Sequence, residues 1–326
     1  MGDVIGERPG QAAHPNLVLA AHLDTVFPPE VDVHNTMNGT KMKGPGIGDD
    51  CRGLAVLIGV IRSLDEAKVV TPGTITFVAN VGEEGVGDLR GVKHLFDVSL
   101  HGKIDNFISI DGTGLHATRI GVGSYRYKVT YTGPGGHSFG SFGNANPIHA
   151  LGRMIAKVSD FQVTTKPKVT FNVGRIGGGT SVNSIAYEGW AEVDMRSSDA
   201  ASLKALEEKF QAVVQLALNE ENERWKNKGK IAVEVKLLGY RPAGETPESA
   251  PIVSTAKAVG KALGFDVRFG EGSTDSNYPM SLHAPAITIG GGGTGTGAHS
   301  LDEAFDSTDS WKGTQRALLL AVALVQ

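Results

Sequence analysis

The sequence predicts an α/β fold interrupted by an inserted α+β unit of ferredoxin-like plan, and three observations carry that reading. Short apolar runs alternate with helical segments from Leu17 to Ile110, with acidic residues just beyond the strand ends. From Tyr125 to Leu238 the order becomes strand, helix, strand, strand, helix, strand. After a Pro/Gly/Glu-rich stretch, Arg241 to Ser249, the first pattern restarts and runs to the C-terminus. The expected division is 1–121 with 240–326 for the first domain and 122–239 for the insert.

Taken in order, Met1 to Ala13 offers at most a short strand, and Leu17 to Ala20 reads as a buried one. His22 and Asp24 follow two apart, so in an extended chain they point the same way. Imidazole suits a metal such as zinc, and a carboxylate on the same face could fix the ring's tautomer. Phe27-Pro28-Pro29 ends regular structure, and Lys41 to Gly48 is a glycine-broken loop that delivers Asp49 and Asp50 to a helix over Cys51–Leu64. That helix is apolar on several sides and is expected to be deeply buried; one of the two aspartates should cap it.

Thr74 to Asn80 is a strand ending in Gly82-Glu83-Glu84-Gly85, Gly91 to Phe96 fits a short helix, and Asn106 to Ile110 is a strand ending in Asp111. Carboxylates at strand C-terminal ends sit where α/β sheets bind ligands. In the insert, Tyr125 to Thr132 alternates as a half-exposed strand, and a glycine turn with His137 leads to a helix near Pro147–Val158. Strands at Lys168–Ile176 and Ser184–Arg196, a long helix Ala200–Lys226 and a strand Ile231–Leu238 complete it. A helix Ile252–Leu263, strands Val267–Gly270 and Ala286–Gly290, and a helix Asp309–Val325 close the chain.

Composition narrows the function. A net charge of −4 over 326 residues gives no electrostatic case for nucleic acid or membrane binding, and no apolar run matches a membrane span. The polar start is unlike a signal peptide, and the single cysteine, Cys51, makes a cytoplasmic setting the expectation.

Gathered together, His22, Asp49, Glu84, Asp111 and His299 supply two histidines and three carboxylates, a set suited to two zinc ions with one carboxylate bridging. Any one of them has a bland structural explanation; five around sheet ends do not. The stretches His22 to Val26, Gly46 to Asp50, Gly82 to Gly85, Asp111-Gly112, Gly136 to Ser138 and Ala298 to Glu303 resemble, in order, the co-catalytic di-zinc peptidases of the M20 type. Peptidase T, glutamate carboxypeptidase, acetylornithine deacetylase, succinyl-diaminopimelate desuccinylase and aminoacylase belong to that group.

The resemblance implies a catalytic α/β/α domain with a mixed sheet, interrupted by a ferredoxin-like lid through which a homodimer forms. It implies that His22 and Asp111 hold one Zn2+, Glu84 and His299 a second, and Asp49 both; Co2+ or Mn2+ could stand for zinc. Asp24 would orient His22, Glu83 would be the general base toward a bridging hydroxide, and His137 would reach the partner's site and steady the oxyanion. Asn183 and Arg196 would grip a substrate carboxylate, and Gly291 and Gly292, within Gly290 to Gly293, would line the pocket. A cis Asp49–Asp50 peptide is expected too. The implied reaction is amide hydrolysis in a short peptide, with an N-acyl amino acid as the alternative substrate; Glu271 to Asn277 resembles the peptidase branches more.

Two departures stand out. Cys51-Arg52 follows the aspartate pair where the family commonly has Lys, and only 21 residues precede His22, fewer than usual, which would uncover apolar surface if an opening helix is lost. The short start favours a catalytically dead binding relative as rival. A phosphate cradle at Gly290 to Gly297 is a second rival, opposed by the lack of a Gly-Lys-Ser/Thr.

Overall fold

The computed structural model describes residues 1–326 and divides into two compact units, Met1–Gly121 with Pro242–Gln326, and Val122–Arg241. The first is a three-layer α/β unit. Its eight-stranded sheet runs Val4–Arg8, Thr74–Asn80, Asn16–His22, Asn106–Ile110, Ala286–Ile289, Ala117–Gly121, Gly244–Glu245, with Phe269–Gly272 also pairing Ala117–Gly121. The four strands from Thr74–Asn80 to Ala286–Ile289 pair in parallel, and Val4–Arg8 and Ala117–Gly121 pair antiparallel at the flanks, so the sheet is mixed.

Strand alternation decides which face each side chain serves. Leu17, Leu19, Ile75, Ile108 and Ile287 point to one face, covered by the helices Cys51–Glu66, Pro251–Ala262 and Trp311–Ala323. Val18, Ala20, Val78, Phe107 and Ala286 point to the other, against Leu89, Val92, Leu95 and Met280. Each fully buried side chain of this size contributes about 1.5–3 kcal/mol, so the parallel strands are the rigid part from which the site residues project.

The second unit is a ferredoxin-like α+β sandwich. Its sheet order is Val169–Gly178, Glu188–Ser197, Gly123–Thr132, Ala232–Arg241, all antiparallel. Tyr127, Val129, Tyr131, Val193 and Met195 face the helices Pro147–Ser159 and Ala200–Arg224, which close one side of the sheet. A two-stranded ribbon, Gly136–His137 with Ser184–Ile185, stands apart from it.

Several sequence expectations need correction. The helix Cys51–Glu66 is buried on one face only, and Ile58 is 52% exposed. The predicted strand Ser184–Arg196 is two strands that pair with different partners. Within Arg241–Ser249, read as a linker, Gly244–Glu245 joins the large sheet. Lys41–Lys43, read as loop, is one strand of a small four-stranded sheet with Thr36–Asn38, Thr294–Thr296 and Ala304–Asp306. No helix is long and apolar enough to cross a membrane.

Candidate metal centre

The site is assembled where the parallel strands end. His22 is the last residue of Asn16–His22, Glu83 and Glu84 follow Thr74–Asn80, and Asp111 follows Asn106–Ile110. Asp49 precedes the helix Cys51–Glu66 across a cis peptide to Asp50, as the resemblance implies, and His299 comes from a loop beyond the strand Thr294–Thr296.

Asp49 is central to the geometry. Its Oδ1 lies 3.0 Å from His22 Nε2 and its Oδ2 lies 3.1 Å from His299 Nε2, so each carboxylate oxygen serves one histidine. Glu84 Oε1 is 3.0 Å from the same His299 nitrogen. Ligand atoms of His22, Asp49 and Asp111 lie within 4.8 Å of one another, as do those of Asp49, Glu84 and His299, and those of His22, Glu83 and Glu84. All five residues expected as ligands, with Glu83, therefore fall in one cluster of three overlapping groups.

Three further carboxylates hold the backbone around them. Asp50 caps the helix by accepting from Gly53 N–H at 2.9 Å, and also accepts from His22 N–H and Gly112 N–H, each at 3.2 Å. Asp24 accepts from the N–H groups of Gly82, Glu83 and Glu84 at 2.7, 3.2 and 2.9 Å. Glu303 accepts from Gly46, Gly48 and Asp49 at 2.8, 2.8 and 3.0 Å. Of the two aspartates, one of which is expected to cap the helix, Asp50 does so, while no sequence spacing marks Glu303, although it stands in the His299 motif.

Two expectations are corrected here. The Asp24 carboxylate lies 4.0 Å from His22 Nδ1, beyond hydrogen-bond reach, and the ring donates instead to the Asp24 carbonyl at 2.8 Å. A carbonyl can only accept, so Nδ1 carries a proton and Nε2 is the nitrogen able to bind a cation. Gly291 and Gly292 do not offer their amides to a pocket. Both are buried, and their N–H groups donate to the carbonyls of Gly112 and Gly114, while Arg52 donates to the Gly291 carbonyl. A cavity of about 170 Å³ beside Asp49 is lined instead by residues such as Gly48, Gly112, Thr113, Thr296 and Ala298.

The remaining expected residues lie in the second unit. His137 and Asn183 sit at the two-stranded ribbon, where Ser138 N–H donates to the Asn183 carbonyl. His137 Nδ1 accepts from the N–H groups of Phe139 and Gly140 at 3.2 and 3.3 Å, leaving Nε2 as the donating nitrogen. Arg196 donates through Nε to Asp194 at 2.8 Å, and the neighbouring Arg126 donates to the same carboxylate at 3.1 Å.

The electrostatics of the centre test whether a cation fits. Burial, then the charges of neighbouring carboxylates, push Asp50 and Asp111 well above the ordinary carboxylate range. Burial and the charges of Glu83 and Asp49 push Glu84 up to about 7. For His22 burial acts against the charged ring, but the Asp49 hydrogen bond and the Asp50, Asp111 and Glu83 charges outweigh it and lift the group to about 12. Burial also acts against ionised Asp49, which His22 and His299 nevertheless hold below its usual value. Carboxylates crowded out of water around two imidazoles are costly unless positive charge neutralises them. Divalent cations bound by nitrogen and oxygen donors fit this set.

Comparisons with known proteins show the family of the chain. The model of peptidase family M20/M25/M40 matches residues 18–323. Acetylornithine deacetylase from Yersinia pseudotuberculosis is 25% identical over 93% of this chain and 77% of its own. Carboxypeptidase G2 from a Pseudomonas species is 28% identical over 88% of this chain and 68% of its own. Among solved structures, a tripeptidase from Staphylococcus aureus superposes with a TM-score of 0.79 at 21% identity, covering 99% of this chain and 84% of that one. With nearly its whole length matched, the chain belongs to peptidase family M20/M25/M40, a family of peptidases and amidohydrolases.

Proposed function

We propose that this protein is a metal-dependent exopeptidase that hydrolyses an amide bond in short peptides. The observation that carries the reading is Asp49, with one oxygen 3.0 Å from His22 and the other 3.1 Å from His299. That disposition would let Asp49 help to hold each of two divalent cations. His22 and Asp111 would hold one and Glu84 and His299 the other, with zinc the metal best matched to imidazole and carboxylate together. When bound, such ions polarise the scissile carbonyl and make water more acidic.

The chain's own residues do the rest. Glu83, buried beside His22 and Glu84, takes a proton from the attacking water as the C–O bond forms. It returns that proton to the departing nitrogen as the C–N bond breaks. His137 donates from Nε2 to the developing oxyanion, in the site of a partner subunit within a homodimer built through the second unit. Asn183 and Arg196 bind the free carboxylate of the substrate; Asp194 orients the Arg196 guanidinium, which stays 38% exposed. A single cysteine suits work in a reducing cytoplasm.

A second reading, deacylation of N-acyl amino acids, is favoured by the 25% identity to acetylornithine deacetylase. Metal content per chain, followed by hydrolysis of a panel of di- and tripeptides and N-acetyl amino acids, tests both. Near two divalent metals per chain with chelator-sensitive peptide cleavage supports the exopeptidase. Cleavage confined to N-acetyl substrates favours the deacylase, and no metal uptake overturns both.

A further inference from the structure

We infer that Glu303 is the positioning residue of the metal centre, fixing the shared carboxylate of Asp49 relative to His299 by clamping the loop that carries Asp49. This rests on the metal-dependent reading above. Glu303 is 2% exposed, yet its two oxygens meet no cation within the clamp; they accept from the amides of Gly46, Gly48 and Asp49 at 2.8, 2.8 and 3.0 Å. Its own carbonyl accepts from Gly44 N–H at 3.0 Å, so one residue binds the segment 44–49 at four points. Glu303 lies four positions after His299 on the same loop, and the two therefore tie that loop to Asp49 from both sides.

Glycine suits the contact at two positions. A Cβ at Gly48 would stand 3.1 Å from Glu303 Oε1 and 3.2 Å from Thr113 Cγ2, and Gly46 adopts φ +76°. Hydrogen bonds to an ionised acceptor are the strong ones, and partners that orient metal ligands typically carry 10–100-fold in affinity. The carboxylate matters in particular because an amide at this position would turn an NH₂ donor toward at least one backbone N–H.

The test measures zinc affinity of metal-free protein by chelator competition in wild type, Glu303→Gln and Gly48→Ala. Amide hydrogen exchange over 44–49 is followed in the same metal-free samples. Glu303→Gln is expected to weaken zinc binding by about 10–100-fold and to speed exchange of those three amides, with Gly48→Ala moving both in the same direction. Glu207→Gln, which alters a buried carboxylate in the second unit bonded to Tyr127, should change thermal stability and leave zinc affinity alone. Wild-type affinity and exchange in the folded variants overturn the inference; if Glu303→Gln fails to fold, Gly48→Ala decides it. A wild-type chain that takes up no zinc sinks the metal-dependent reading instead, and exchange at 44–49 still reports on the clamp.

Discussion

His22 donates from Nδ1 to the main-chain carbonyl of Asp24 at 2.8 Å, while the Asp24 side chain turns away to collect the amides of Gly82, Glu83 and Glu84. The aspartate two residues after the histidine thus does two separable jobs, one through its backbone and one through its carboxylate. Asp24→Asn keeps the carbonyl and spoils the amide contacts. It is expected to lower kcat by about 10–100-fold while zinc still binds at His22. Metal stoichiometry and kcat on the same sample check this, and loss of metal in step with activity would contradict it.

Glu83→Gln preserves shape and removes the basic group. Turnover should fall by about 10²–10⁴-fold with metal content unchanged. A variant that keeps wild-type kcat would remove Glu83 from its role.

Arg196→Lys replaces a planar fork with a point charge. KM for peptides with a free carboxylate should rise by about tenfold or more, and substrates amidated at that carboxylate should feel no change. Equal effects on both substrate types would place the arginine elsewhere in the mechanism.

Arg316 is fully buried in the first unit and donates to the carbonyls of Leu115, His116 and Gly290. Arg316→Leu leaves those carbonyls without that donor. Unfolding in urea should show a loss of about 1–3 kcal/mol, larger than expected for a surface arginine.

Alkaline pH should loosen the second unit. Burial, then the hydrogen bond to Glu207, pushes the Tyr127 hydroxyl up to about 12, and burial pushes Tyr131 higher still. A group whose pKa is raised by folding adds stability below its unfolded value, about 10, and loses it as pH climbs through the folded one. Thermal midpoints should therefore drop between pH 10 and 12, together with the rise of tyrosinate absorbance. Tyr127→Phe should flatten the drop.

Three of the expected ligands, His22, Glu84 and Asp111, are legible because each sits where a strong local pattern stops. An apolar run ends at His22, another before Glu83 and Glu84, and a third before Asp111, and chain order then matched a known set of motifs. The carboxylates that hold the loops were hidden, because accepting a backbone N–H leaves no mark on side-chain spacing. Asp24 could be seen as a partner of His22 but not as the anchor of Gly82–Glu84, and Glu303 joins segments some 250 positions away in sequence. The small sheet of Thr36–Asn38, Lys41–Lys43, Thr294–Thr296 and Ala304–Asp306 has strands of three residues each, too short for a period to register. Ile58 looked buried because hydropathy alone does not say which side of a helix meets the sheet.

Gly121 and Ile120 pair antiparallel with Gly244 and Glu245, so the chain leaves the large sheet and returns to it across one ladder. Such a pair is the stem of a hairpin, and residues 122–241 occupy the position of its turn. A tight turn of a few residues could close the same stem. The second unit is therefore a detachable cassette in covalent terms. A shortened chain would keep every metal donor, which all lie outside the excised span, and would surrender His137, Asn183 and Arg196 together. Metal capture and substrate choice could then be inherited, exchanged and redesigned as separate traits.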